Sequence, residues 1–112
     1  MALYMLQIKY TPEAMRNIAE SGSNREDGAR AAVDACGGKL IAFYGMMGQD
    51  YHAAIIVEYD QLPNYIGTVF TAVLGGAIAD FKTISLYTAE DAVNAAKIYQ
   101  ANKGSYSPPP AS

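Results

Sequence analysis

Residues 39–59 read KLIAFYGMMGQDYHAAIIVEY, two apolar, alternating runs joined through Gly48, Gln49 and Asp50. A short glycine-containing link between such runs predicts a β-hairpin, with strands over Lys39–Met47 and Tyr51–Tyr59. With the turn at Gly48-Gln49-Asp50, Met47 stands opposite Tyr51. Alternation then places Ile41, Phe43, Met47, Tyr51, Ala53, Ile55 and Val57 on one face. Leu40, Ala42, Tyr44, Met46, His52, Ala54, Ile56 and Glu58 fall on the other. The first set is apolar apart from one phenol, which suits a face covered by helices.

The flanking sequence repeats one pattern on either side of the hairpin. Upstream, Leu3–Tyr10 reads as a strand, and Thr11, Pro12 and Glu13 form a helix start for Glu13–Glu20 with Met15 and Ile18 on one side. Ser21-Gly22-Ser23-Asn24 breaks that helix. A second stretch, Arg25–Cys36, carries Ala29, Ala32, Val33 and Cys36 at helical spacing and stops at Gly37-Gly38. Downstream, Asp60 caps a helix over Leu62–Leu74 whose apolar side is Tyr65, Val69, Phe70 and Val73. Gly75-Gly76 ends it, and Ile78–Tyr87 forms a fourth strand. Thr88 and Asp91 then open a last helix to about Asn102, in the manner of a capping box. The order βαββαβ plus a helix predicts an α+β, ferredoxin-like domain over residues 1–103, with helices on one face of an antiparallel sheet. Residues 104–112 form a Pro-rich irregular tail.

In the outer strands, Leu6, Ile8, Ile84 and Leu86 are expected to join the core. Met5, Gln7, Lys9, Phe81, Thr83, Ser85 and Tyr87 then point the other way. That second face would carry Met5, Leu40, Ala42, Met46, Ala54, Ile56 and Phe81, too much apolar surface for a solvated antiparallel sheet. A homo-oligomer, dimer or larger, is therefore expected to cover it. The polar minority there (Gln7, Lys9, Tyr44, His52, Glu58 and Tyr87) marks where a small-molecule ligand would bind. In a catalytic reading His52, the single histidine, carries the proton and Tyr44 orients it. Gln7, Lys9, Glu58 and Tyr87 contact the ligand. The plainer reading, a strand histidine that is hydrogen-bonded or solvated near a hairpin tip, outweighs it.

Composition removes other function classes. The 112 residues are 51% hydrophobic and 17% charged, ordinary globular values, with a net charge of −3. The basic residues are scattered, so no nucleic-acid role is expected. The lone Cys36 forms no internal disulfide and no zinc motif, and no metal site is expected. It reads as a small buried residue. No cofactor fingerprint is present, and the cofactor stays unassigned. Neither a signal peptide nor an apolar run of membrane-spanning length is seen, so no membrane partner is expected and the cytoplasm is the default location. Asn24-Arg25-Glu26-Asp27 opens a helix where amides and Arg25 could hold an anion. A simple Asn24 N-cap outweighs that reading.

Gly37-Gly38-Lys39-Leu40, Phe43-Tyr44, Gly48 followed by an Asp/Tyr pair, and the Ile55-Ile56-Val57-Glu58 strand together resemble the GYD-domain family. Lys9-Tyr10-Thr11-Pro12, Asn24-Arg25 and Thr83-Ile84-Ser85 add to the resemblance, which spans Leu3 to Tyr87. It departs at the naming motif, where Gly-x-Tyr-Asp stands as Gly48-Gln49-Asp50-Tyr51. The resemblance implies a dimeric α/β-barrel type of domain whose sheets pack in pairs. Its wider relatives include cofactor-free or haem-using monooxygenases, isomerases and stress-response proteins. The functional expectation is a small-molecule-binding domain or cofactor-independent enzyme. The alternative is a non-catalytic oligomeric or regulatory module.

Overall fold

The computed structural model describes residues 1–48 and 50–110. Its elements run β1 (Ala2–Tyr10), α1 (Pro12–Ser21), α2 (Arg25–Ala35), β2 (Lys39–Gly45), β3 (Ala53–Tyr59), α3 (Leu62–Leu74), β4 (Ile78–Leu86) and α4 (Ala89–Asn102). The four strands form one antiparallel sheet in the order β2-β3-β1-β4. This is the ferredoxin-like α+β architecture expected from the order of elements. Gln49 of the turn and Ala111 and Ser112 of the tail lie outside the described residues.

Local chemistry accounts for most element boundaries. Thr11 accepts a hydrogen bond from the Ala14 amide, and Asn24 accepts from Glu26 and Asp27. Thr88 and Asp91 complete a reciprocal capping box. The cap assigned to Asp60 is corrected: Gln61 holds the N-cap position of α3 and makes no side-chain bond there. Between α2 and β2 the chain turns through Gly37 at φ 81°, a conformation that favours glycine. A Cβ on Gly38 would fall within the ring of Tyr59, the most buried side chain of the core. Glycine is thus the residue that lets β2 begin against the Tyr59 ring.

The hairpin register is as expected near the turn, with Gly45 opposite Ala53 and Ala42 opposite Ile56. A β-bulge at Ile41 then shifts the parity, so that Leu40 stands opposite Val57. Leu40, expected on the outer face, is buried at 5% exposure, and Ile41, expected in the core, is 47% exposed. The strands are also shorter than expected, and Met47 lies beyond β2, fully exposed. In β4 the whole alternation is reversed. Ile84 faces Met5 and Leu86 faces Leu3 on the outer side, while Phe81, Thr83 and Ser85 stand opposite Ile8, Leu6 and Tyr4. The expectation failed because it sent the apolar residues inward, and here both faces are apolar. Thr83 is held inward by the Tyr65 hydroxyl, 2.7 Å away.

Leu6, Ile8, Val33, Leu40, Ile55, Val57, Tyr59, Tyr65 and Val69 form the core between the sheet and α2 and α3. Phe70, expected to point inward, is exposed, and Thr68 takes the buried position. The inward stripe of α3 is Tyr65, Thr68, Val69, Ala72 and Val73, and Phe70 lies off that spacing. Every residue of α4 is exposed. The radius of gyration is 18.3 Å, against roughly 13 Å for a compact chain of this length. α4 projects from the sheet instead of packing on it.

Candidate functional site

The outer face can be laid out row by row from the register. Ala42, Ile56, Met5 and Ile84 form an apolar row across all four strands. On one side of it lie Lys39, Glu58, Leu3 and Leu86, and on the other Tyr44, Ala54, Gln7 and Lys82. Lys9 follows, opposite Asp80. Gln7, Lys9, Tyr44 and Glu58 thus share this face, as expected, but are spread along the two margins of an apolar band. Tyr87 follows the end of β4 and lines a shallow groove against Asp91, Ala92, Ala95, Ala96 and Tyr99 of α4.

His52 is placed differently from its expected partners. Its Nδ1 accepts a hydrogen bond from the Tyr10 amide at 3.0 Å, and its ring lies parallel to the Tyr10 ring with centroids 6.0 Å apart. Its own amide donates to the Ile8 carbonyl, and its carbonyl accepts from Met46. Nδ1 therefore carries the lone pair, and the imidazole completes the ladder where β3 leaves off. Among the described residues, no hydrogen bond or ring contact joins His52 to Tyr44 or Glu58. Tyr51, expected toward the core, is half-buried and donates to Asp80 at 3.3 Å. Burial and then the Asp80 carboxylate raise its pKa above the usual phenol value.

The deepest apolar space among the described residues lies on the opposite, helix-covered side. A cavity of about 180 Å³ sits between the sheet and α2 and α3, walled by Leu6, Ile8, Val33, Ile55 and Val57 and the rings of Tyr59 and Tyr65. It exists because, Val33 apart, the face that α2 turns to the sheet is made of Gly28, Ala29 and Ala32, which are too small to fill it. The exposed residues Arg25 and Thr71 mark its mouth. A second cleft of about 210 Å³, over α1, shares Tyr10, Arg25 and Ala77 with it.

The phenols of the wall are already committed. Thr68 donates its hydroxyl hydrogen to the Asn64 carbonyl at 2.9 Å, so the 2.6 Å contact with Tyr59 is a bond donated by the phenol. Tyr65 stacks on Tyr4 at 4.3 Å and meets Tyr59 edge-on at 5.7 Å. Among the described residues no buried side-chain nitrogen or oxygen lacks a partner. Burial raises the pKa of both Tyr59 and Tyr65, opposed in each by the bond to a threonine. Also among the described residues, no three His, Cys, Asp or Glu side chains cluster to hold a metal ion, and no helix is long and apolar enough to cross a membrane.

Residues 4–98 match the GYD domain family. The chain belongs to that family. The match runs through most of α4, further than the resemblance read from individual motifs. Among solved structures, TTHA0845 from Thermus thermophilus is similar in fold, with a TM-score of 0.52 and 13% identity. The superposition covers 80% of this chain and 96% of that one. A comparison with curated proteins finds no match. The cavity residues of this GYD domain, above all Arg25, Tyr59, Tyr65 and Thr68, were absent from the site expected from sequence. Their signal was the run of small residues on α2 beside large aromatics in β3 and α3.

The raised phenol pKa values give a stability that depends on pH. The folded state holds these protons more tightly than the unfolded chain does. The contribution is thus complete below the ordinary phenol value and lost as pH rises through the folded values. The urea midpoint is expected to fall as pH is raised from 8 to 11. Tyr59→Phe is expected to flatten that fall, while lowering stability at pH 8 by about 1 kcal/mol through loss of its hydrogen bond.

Proposed function

We propose that this GYD domain binds a small, largely apolar molecule in the cavity beneath α2 and α3. The observation that carries the reading is the cavity itself. At about 180 Å³, it is comparable to an engineered apolar cavity of about 150 Å³ that stays dry and takes up benzene. Leaving an apolar space unfilled forgoes packing contacts that larger side chains would make. A chain with Gly28, Ala29 and Ala32 at those positions forgoes that packing, whereas larger residues would recover it. This reading moves the ligand from the outer face, where it was expected, to the inner one. It assigns His52 a place in the scaffold. A catalytic step has less support, since the wall hydroxyls are tied to one another.

A specific observation also supports the assembly reading, and the two are compatible. The outer face keeps Leu3, Met5, Ile56, Ile84 and Leu86 without a helix layer. α4, a 14-residue helix, stands without a packing surface, although isolated helices of that length are marginal in water. A second copy of the chain, sheet against sheet, would supply the missing cover for the apolar band, with Lys9, Lys39, Glu58, Asp80 and Lys82 at its margins.

Two measurements test these readings. Hexanol or toluene at ten times its Kd is expected to raise the melting temperature by several degrees, the equivalent of about 1.4 kcal/mol. Ala32→Phe, which fills the cavity, is expected to abolish the rise. An equal rise in both proteins, or none in either, contradicts the cavity reading. Sedimentation at micromolar concentration is expected to show a dimer or larger species, reduced to monomer by Ile56→Lys. A wild-type monomer contradicts the assembly reading.

A further inference from the structure

We infer that the ligand of this cavity is a monoanionic amphiphile, a short-chain or aromatic carboxylate whose acid group is held by Arg25 at the mouth. The inference rests on the cavity reading and deepens it.

It follows from where polar partners are and are not to be found. Inside, the Tyr59, Tyr65 and Thr68 hydroxyls are engaged with Thr68, Thr83 and the Asn64 carbonyl. A carboxylate, which only accepts hydrogen bonds, is poorly matched to an apolar interior whose hydroxyl groups are already paired with one another and with a carbonyl. The interior therefore accepts hydrocarbon, and a ligand's polar end has to remain at the mouth.

At the mouth stands Arg25, the first residue of α2, which borders both the cavity and the neighbouring cleft. Among the described residues its guanidinium has no carboxylate partner. Its one side-chain bond is a long contact of 3.5 Å to the Ser23 hydroxyl. The acidic residue one position on, Glu26, is taken up by Arg30 at 2.6 Å. The Arg25 side chain folds back along α2, and its Nη2 lies 2.9 Å from where a Cβ on Gly28 would be. Gly28 is thus the gap in the helix surface that lets a guanidinium lie over the cavity rim. A planar guanidinium is the group best matched to a carboxylate, which it can bind through two parallel N–H donors. One cation at the rim of an apolar hole selects a ligand with one negative charge and a hydrocarbon body.

Hexanoate and hexanol, which share a chain and differ in the head group, separate this inference from the cavity reading. Binding is measured by calorimetry on the full chain at low ionic strength. The wild type is expected to bind hexanoate about tenfold more tightly than hexanol, and added salt is expected to erode that preference. Arg25→Gln is expected to remove the preference while leaving hexanol affinity unchanged. Gly28→Ala keeps the arginine and improves helix propensity, yet displaces the guanidinium. It is expected to weaken hexanoate several-fold with hexanol unaffected. If hexanol binds but hexanoate shows no advantage, or the advantage survives in Arg25→Gln, the carboxylate inference is overturned and the cavity reading stands. If neither compound binds, the cavity reading fails and the inference with it.

Discussion

A four-stranded sheet with apolar side chains on both faces, and a single layer of helices to cover them, constrains everything else in this molecule. The helices take the face that carries Leu6, Ile8, Ile55 and Val57. The other face, with Met5, Ile56 and Ile84 across its middle, is left without cover from its own chain. The covered side is not flush either. α3 is drawn to the sheet through Tyr59, Tyr65, Thr68 and Thr83, where rings and hydroxyls interlock. Beside them α2 presents Val33 and otherwise the small residues Gly28, Ala29 and Ala32, and the mismatch in size between the two helices leaves the cavity.

The division of labour that results differs from the one suggested by residue chemistry alone. His52 and Tyr44 draw attention as the groups able to move or orient a proton. The imidazole instead accepts the Tyr10 amide and extends the sheet, the ordinary fate of a polar group at the end of a ladder. The helix side, with less obvious chemistry, holds the apolar cavity, and Arg25 at its rim has no acid partner among the described residues. A satisfied interior beside a cation at the rim restricts which end of a ligand goes where.

The order of elements and most of the hairpin register could be read from sequence, because capping residues, Gly-Gly stops and alternation are local signals. Thr11, Asn24 and Thr88 cap the helices they were expected to cap. Two features could not be read. The bulge at Ile41 inverts Leu40 and Ile41, and no residue there distinguishes an extra strand position from a regular one. The facing of β4 was reversed because Ile84 and Leu86 were sent to the core as its apolar residues, whereas Thr83 lies on the inner side and bonds to Tyr65 of α3. The cavity escaped for a related reason: it is the space left by Gly28, Ala29 and Ala32 once β3 and α3 are in place, and that depends on tertiary packing. Arg25 was read as part of a helix start, which it is; its position over the cavity requires the fold.

Which side of the sheet receives a small molecule decides between the inner and outer sites, and isotope-edited nuclear Overhauser spectroscopy of the protein with bound hexanol reads that directly. Binding beneath α2 and α3 predicts contacts from the ligand chain to the buried methyl groups of Ile8, Val33, Ile55 and Val57. Contacts confined to Met5, Ile56 and Ile84 on the outer face would contradict it.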